Sequence, residues 1–525
     1  MNFLRRKTII LWLISCSTLW LVKCSNHPQP DSETQQQSQA GKQSAEPIED
    51  GALLAKRYCQ SCHQLPTPDL LPKAIWANKV LPIMGLYLGI HPPLDALKNS
   101  EQAAQLAYLP KEPVIDSVSW QKIINYYVAS APDQLVSQAN NALITTGIPG
   151  FAPQLPPQNF FGPVSIATCV KIDQQRPTAR LLIGDGMNNR LYVLNSQLHN
   201  LHKYDLRGPL VDILKRPDGM LACTIGSVLY ATNRKDGDVR PMILKSDGSV
   251  NWGAQPLFDT LARPVCINVA DLNRDGVKDY VVSEFGNLVG ELSWMEGKSN
   301  GAFKKHILRS MPGALRTVIN DFNHDGLPDI WAQFAQGNEC IVSYINKGGG
   351  KFEEQQILRF PPSYGSTSFQ LVDFNKDGYL DLIYTCGDNA DYSPVLKPYH
   401  GVYIYLNDGK NHFVQKFFHP INGCYKALAI DFDNDGDLDI ATISNFPAAV
   451  TPWESFVYLQ NNGNYQFGAF TLPEHVPFQK GITMDAGDIN GDGKIDLLLG
   501  NGFYTSDRSG RNVQPLYITL INQSR

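Results

Sequence analysis

Between residues 271 and 496 one pattern, D-x-[ND]-x-D-G-x-x-D, recurs five times at intervals of 50 to 58 residues. A period of that size implies one supersecondary unit copied along the chain, each copy burying its apolar face on the next, as in a solenoid or propeller. The oxygen-bearing positions are Asp271, Asn273, Asp275 and Asp279 in the first copy and Asp321, Asn323, Asp325 and Asp329 in the second. They continue as Asp373, Asn375, Asp377 and Asp381, then Asp431, Asp433, Asp435 and Asp439, then Asp488, Asn490, Asp492 and Asp496. Positions 1, 3, 5 and 9 offer hard oxygen donors and the glycine at position 6 permits a sharp turn, so the pattern predicts up to five calcium loops. An Asx-rich turn without metal explains one such loop. It explains five poorly, because three or four uncompensated carboxylates would repel in each.

An EF-hand is excluded, since it needs flanking helices and a glutamate at position 12. Here the flanks read as strands: Cys266–Ala270 before one loop and Tyr280–Val282 after it, Ala427–Ile430 and Ile440–Ile443 around another. Each copy continues as strand, variable loop, strand, tight turn, strand, with hairpin signals at Asn346–Gly350, Asn407–Gly409 and Asn461–Gly463. Four antiparallel strands per copy make a propeller blade. Val164–Asn195 and Met220–Leu244 read as two more blades without the aspartate pattern, for seven in all, with six or eight also compatible. The strand-loop-strand pattern resembles the FG-GAP or VCBS repeats of integrin-type β-propellers, which implies an all-β propeller and bound calcium but no particular activity.

In such a blade the calcium loops lie on one face and the loops between second and third strands on the other. The longest of the latter carries Asp388, Asp391, Tyr392, Lys397, Tyr399 and His400, a candidate ligand face. Lys397 and His400 suit anionic groups, and Tyr392 and Tyr399 suit stacking on flat or sugar surfaces. The competing reading is that this loop only covers the channel.

Ahead of the repeats stands Cys59-Gln60-Ser61-Cys62-His63, the spacing that attaches a c-type haem. Two thiols one helical turn apart reach the two vinyl groups of one porphyrin, and the adjacent imidazole binds the iron. A disulfide or half a zinc site is the alternative, but no second Cys/His cluster lies nearby to complete four zinc ligands. Gly51–Tyr58 leads into the motif at helical spacing, and Trp120–Val128 supplies a second amphipathic helix ended by Ala131-Pro132. Met84, on a stretch punctuated by Pro82 and Gly85, is the only methionine between residues 46 and 140 and is the expected distal ligand, with His91 as the alternative. Trp76 is expected at the haem edge. The whole segment resembles class I cytochromes c.

Thr8–Val22 is an apolar run behind Arg5, Arg6 and Lys7, which reads as an export signal. Leu21-Val22-Lys23-Cys24 resembles a bacterial lipoprotein signal, in which Cys24 is acylated, although Lys23 departs from the small residue expected there. A plain signal peptide or an uncleaved anchor is the alternative. The resulting plan is a signal peptide over 1–23, a disordered tether over 24–46, a monohaem all-α cytochrome c domain over 47–135, a linker over 136–163 and a calcium-binding propeller over 164–525.

Sixteen of the fifty acidic residues occupy the loop ligand positions, so bound calcium brings the mature chain near neutrality. No basic patch suggests nucleic acid. The cysteines at 169, 223, 266, 340, 386 and 424 either pair as disulfides in an oxidising compartment or lie as buried thiols. The expected function is that of an exported, periplasmic or outer-membrane electron carrier. It would exchange electrons with a redox protein or small-molecule donor in the cell envelope and use its propeller for docking or ligand binding. Two alternatives stand beside it: a propeller oxidoreductase that uses its own haem as acceptor, and an adhesion or polysaccharide-binding protein with accessory haem.

Overall fold

The computed structural model describes residues 46–91, 106–136, 138, 143–174, 178–389, 393–504 and 513–524. The signal segment, nearly all of the tether and Cys24 lie outside these residues, as do Asp391 and Tyr392. What is described is a mostly β, propeller-like domain preceded by a small helical region. No described helix is long and apolar enough to cross a membrane.

Three helices organise the helical region: α1 (Glu46–Cys59), α2 (Leu81–Tyr87) and α3 (Ser117–Ser130). Asp116 caps α3 by accepting a hydrogen bond from the Ser119 amide at 2.9 Å, and Ala131-Pro132 ends it. Helices α1 and α3 pack on each other around Ala55, Ile123 and Tyr127. Their close approach depends on Gly51, where a Cβ would stand 2.4 Å from the Lys122 carbonyl oxygen. A short helical turn at Lys73–Ile75 leads through a π-helical turn, Trp76–Val80, into α2. Met84 therefore sits within a helix, not on the loop that Pro82 and Gly85 suggest: proline is tolerated in a first turn, where its missing amide has no partner to lose. Trp76 is buried, packs at a tilt on Tyr127 with ring centroids 4.5 Å apart and donates to the Pro68 carbonyl at 2.8 Å, which makes it part of the helical core.

Among the described residues the strands form seven successive antiparallel units of four. Their first strands are Val164–Asp173, Leu210–Arg216, Pro264–Ala270, Ala314–Asn320, Ser366–Val372, Cys424–Ile430 and Gly481–Gly487. Each first strand packs on the first strand of the next unit, and the last packs on the first, so the units close a ring. The cores close in the same way. One apolar cluster joins Trp294 of the third unit to Phe334 of the fourth, the next joins Trp331 to Tyr384 of the fifth, and the circuit ends with Leu498 and Tyr517 of the seventh against Val170 and Ile183 of the first. A second strand in such a ring has a neighbour on both faces. Accordingly Asp279–Glu284, Asp329–Phe334, Asp381–Cys386 and Asp439–Ser444 are buried along their whole length.

Every first strand also carries a β-bulge at the same place, at Thr168, Val211, Val265, Leu315, Thr367, Tyr425 and Ile482. First strands expose an unpaired edge toward the ring, and side chains reach across to satisfy the next one. Thr168 Oγ1 donates to the Leu210 carbonyl at 2.6 Å, Asn268 Nδ2 to the Thr317 carbonyl at 2.9 Å, and Gln370 both donates to and accepts from the Ala429 backbone.

The seventh unit is completed from the other end of the chain. Phe151–Gln154 pairs antiparallel with Tyr517–Asn522 as its outermost strand, in register from Phe151 opposite Asn522 to Gln154 opposite Thr519. Thr145–Thr146 adds in parallel to the sixth unit. Part of the expected 136–163 linker is thus built into the sheets. Its proline content suggested a connector, but Pro153 occupies an outer edge strand, where a missing amide costs no ladder bond.

Candidate functional site

The five aspartate loops share one geometry. In the first, the Asp271 carboxylate accepts from the Asp275 amide at 3.1 Å and the Gly276 amide at 2.9 Å, Asn273 Oδ1 accepts from the Asp275 amide at 3.0 Å, and Asp275 Oδ1 accepts from the Val277 amide at 2.9 Å. The same bonds recur around Asp321, Asn323 and Asp325, around Asp373, Asn375 and Asp377, and around Asp488, Asn490 and Asp492. The glycine at position 6 has φ between 81° and 97° in all five loops, a region open to glycine at little cost. In the fourth loop, oxygens of Asp431, Asp433 and Asp435 lie within 4.8 Å of one another, a donor set suited to a hard divalent cation. That set fits calcium.

Position 9 sits differently. Asp279, Asp329, Asp381, Asp439 and Asp496 are fully buried. One oxygen of each accepts from the amide at position 2 of its own loop, and the other accepts from an amide where the third strand ends. For Asp496 these are Ile489 at 2.8 Å and Asn522 at 2.7 Å; for Asp329, Phe322 at 3.3 Å and Asn346 at 2.7 Å. Burial pushes the Asp439 carboxyl up to about 6 and raises the other four as well. The ninth aspartate is therefore a bracket between loop and third strand, outside the cluster formed by Asp431, Asp433 and Asp435.

The partner of this bracket escaped the sequence reading. Asn346, Asn407, Asn461 and Asn522 each donate a backbone amide to the ninth aspartate and a side-chain amide to the position-8 carbonyl. In the first loop Gly297 supplies the backbone amide alone. The signal was present as an asparagine closing each of those third strands, but it read only as the start of a hairpin.

In the helical region Cys59 ends α1, and the chain turns so that Cys62 is exposed and both sulfurs are unpaired. Burial pushes the Cys59 thiol up to about 11, with Cys62 adding to the shift. His63 Nδ1 lies 2.9 Å from the Gln64 carbonyl oxygen, so Nδ1 carries the proton and Nε2 keeps its lone pair. Burial lowers the His63 pKa, the Gln64 contact opposes this, and the charge of Arg359 from the fourth unit lowers it further. Two free thiols followed by an imidazole with a fixed tautomer fit a covalently attached haem. Cys59 and Met84 border the same apolar cluster. His91 has its Nε2 engaged with the Pro110 carbonyl at 2.6 Å.

The loop expected to face ligands instead turns toward the helical region. Tyr399 donates its hydroxyl to the Leu70 carbonyl at 3.0 Å, and Val395 packs on the helical core. Lys397 and His400 are each 1% exposed, with Lys397 Nζ donating to Asn389 Oδ1 at 2.8 Å. Burial, with Lys397 adding, holds His400 well below the ordinary imidazole range. The carbonyls of both residues accept from Gln138 Nε2. Asp388 is half-buried, and its amide donates to the Gly365 carbonyl at 3.0 Å. Lys397 and His400 do not line an open rim. The polar sequence of the loop hid this because its apolar anchors, Val395 and Tyr399, are spaced irregularly.

Residues 321–384 match the FG-GAP-like repeat family. No curated protein shows significant sequence similarity to the chain. Solved structures with a similar course include BBS1N in complex with ARL6DN, soaked with mercury, at 10% identity, covering 71% of this chain and 97% of that one with a TM-score of 0.43. Another is Sqt1 of Saccharomyces cerevisiae, at 9% identity, 73% and 99% coverage and a TM-score of 0.43. The Dos1 propeller gives 11%, 65% and 74%, and 0.38.

Proposed function

We propose that the chain is an exported monohaem c-type cytochrome that carries single electrons, with a calcium-stabilised propeller of seven blades serving for docking or ligand binding. The observation that carries this reading is the state of the motif at the end of α1. Both sulfurs are unpaired, and the His63 tautomer is set by the Gln64 carbonyl so that Nε2 keeps the lone pair that would ligate iron. Haem held there supplies a one-electron couple. Cys59 and Cys62 would tether it, and His63 would ligate it on the proximal side. Met84 would supply a thioether from α2, which favours a higher potential than a second histidine. The apolar cluster around Ala55, Leu81 and Trp120 would keep water from that side.

The contact of Tyr399 and Val395 with the helical region supports an electron-transfer unit that works against its own propeller and does not swing free of it. Calcium in the five loops would join strands one and two of its blades. Acylation at Cys24 would hold the protein at a bacterial envelope membrane, within reach of a protein or small-molecule donor.

The test is spectroscopic. The purified oxidised protein should show the weak long-wavelength sulfur-to-iron band, and Met84→Ala should lose it while keeping the haem. Retention of the band in the variant removes Met84 from the iron. A protein that takes up no haem overturns the reading as a whole.

A further inference from the structure

The ring of first strands carries charges that neither the haem motif nor the aspartate loops use. Asp212, Arg316 and Lys426 directly follow the bulges of the second, fourth and sixth units, and Lys171 and Asp485 lie three residues beyond the bulges of the first and seventh. All five keep partial solvent exposure. They also feel one another across the ring. Burial works to lower the Lys171 pKa, but Asp212 and Asp485 outweigh it and raise the ammonium above its ordinary range. Burial, Arg316 and Lys171 push Lys426 down to about 7 against the pull of the same two carboxylates.

The two signs are not equally satisfied. Asp212 Oδ2 accepts from the Ile267 amide at 3.2 Å and Asp485 Oδ2 from the Ile172 amide at 2.8 Å, so each carboxylate serves the edge of a neighbouring strand. Lys426 Nζ donates to the Met484 carbonyl at 2.7 Å. Arg316 Nε is buried without a hydrogen-bond partner among the described residues. Lys215 Nζ reaches the same edge, donating to the Ile172 carbonyl at 2.5 Å, so four basic side chains, Lys426 among them only partly charged near neutrality, face two carboxylates, with one guanidinium donor left over in a site where an unmade hydrogen bond is costly.

We propose that the ring of first strands binds a small tetrahedral oxyanion, of the phosphate or sulfate class, between Arg316, Lys171 and Lys426. Such an anion supplies the missing acceptor for the guanidinium fork and cancels the excess positive charge. Chloride meets the charge requirement but offers no paired oxygens. The binding is independent of haem and of the aspartate loops, and no covalent step is involved.

The experiment titrates sulfate into the calcium-loaded full-length protein by calorimetry, with chloride at matched ionic strength as reference. Saturable sulfate binding is expected in the parent. Arg316→Gln should weaken it about tenfold, the loss of one charge-assisted contact. Asp485→Asn retains an acceptor for the Ile172 amide while removing a negative charge, so it should bind sulfate more tightly and decides the matter if Arg316→Gln does not fold. Absence of sulfate binding beyond chloride in the parent overturns the proposal, and so does an unchanged or weaker affinity in Asp485→Asn.

Discussion

Within each aspartate loop two carboxylates that look alike in sequence do different work. Asp492 is exposed and bonds only within its loop, whereas Asp496 is buried and holds two buried amides, one from its own loop and one from the end of the third strand. Asp496→Ala should therefore lower stability even in chelator, by ~1–3 kcal/mol for each amide left without an acceptor. Asp492→Ala should leave stability in chelator nearly unchanged but reduce the stabilisation that calcium adds, which parallel denaturant titrations with and without calcium will separate. Positions 1 to 6 were legible because turn chemistry is local. The role of position 9 was not, since its second partner lies on the third strand, 17 to 26 residues away. Burial also sets an acid limit on the fold. His419 is 9% exposed and burial pushes it down to about 4, so the native state keeps it neutral while the unfolded chain protonates near 6.5. Its contribution is constant above that value and is lost as pH falls from about 6.5 toward 4, by up to ~1.4 kcal/mol per pH unit. The stability of His419→Gln relative to the parent should rise across this window. Parallel pH profiles for the two proteins would show that His419 is not held neutral.

Among the elements, the strand Phe151–Gln154 has a large consequence for its length, because with the shorter pairing of Phe161–Gly162 on Gln514–Pro515 it ties the segment before the first unit to the end of the last. Phe151 packs edge-on to Phe432 and Tyr458, with ring centroids 5.6 Å away in both cases, and so reaches the core between the sixth and seventh units. Phe151→Ala should cost about 3 kcal/mol. It should also speed hydrogen exchange in Tyr517–Asn522, the strand it covers, ahead of the other third strands. Uniform exchange across the seven units would mean the ring does not depend on this closure. The repeat period and the strand order within units were readable from sequence because apolar runs and Asn-Gly turns mark them. The closing strand was not, being four residues long with a proline inside, and its pairing spans almost the whole β region. The same locality explains Met84: punctuation by Pro82 and Gly85 signals a break, yet the π-helical turn before it carries the helix through to Tyr87.

At the scale of the whole molecule, two regions that read as separate in sequence touch through side chains that gave no warning of it. Tyr399 reaches Leu70, Val395 joins the helical core, and Arg359 acts electrostatically on His63. Fold class and repeat were legible because they rest on periodicity. The contact between regions was not, because irregular loops build it. The ring of first strands likewise emerges only in three dimensions, when residues from Lys171 to Asp485 meet. In the proposed function, the motif at the end of α1 holds covalent haem beside this propeller. Mass spectrometry of the purified full-length protein, expressed with cytochrome c maturation and digested to peptides, tests it most directly. The peptide containing Cys59 and Cys62 should carry the added mass of one haem, and Cys59→Ala/Cys62→Ala should lose that mass while keeping a folded, calcium-responsive propeller. Recovery of the parent peptide with two free thiols or a disulfide, and no haem, would contradict it.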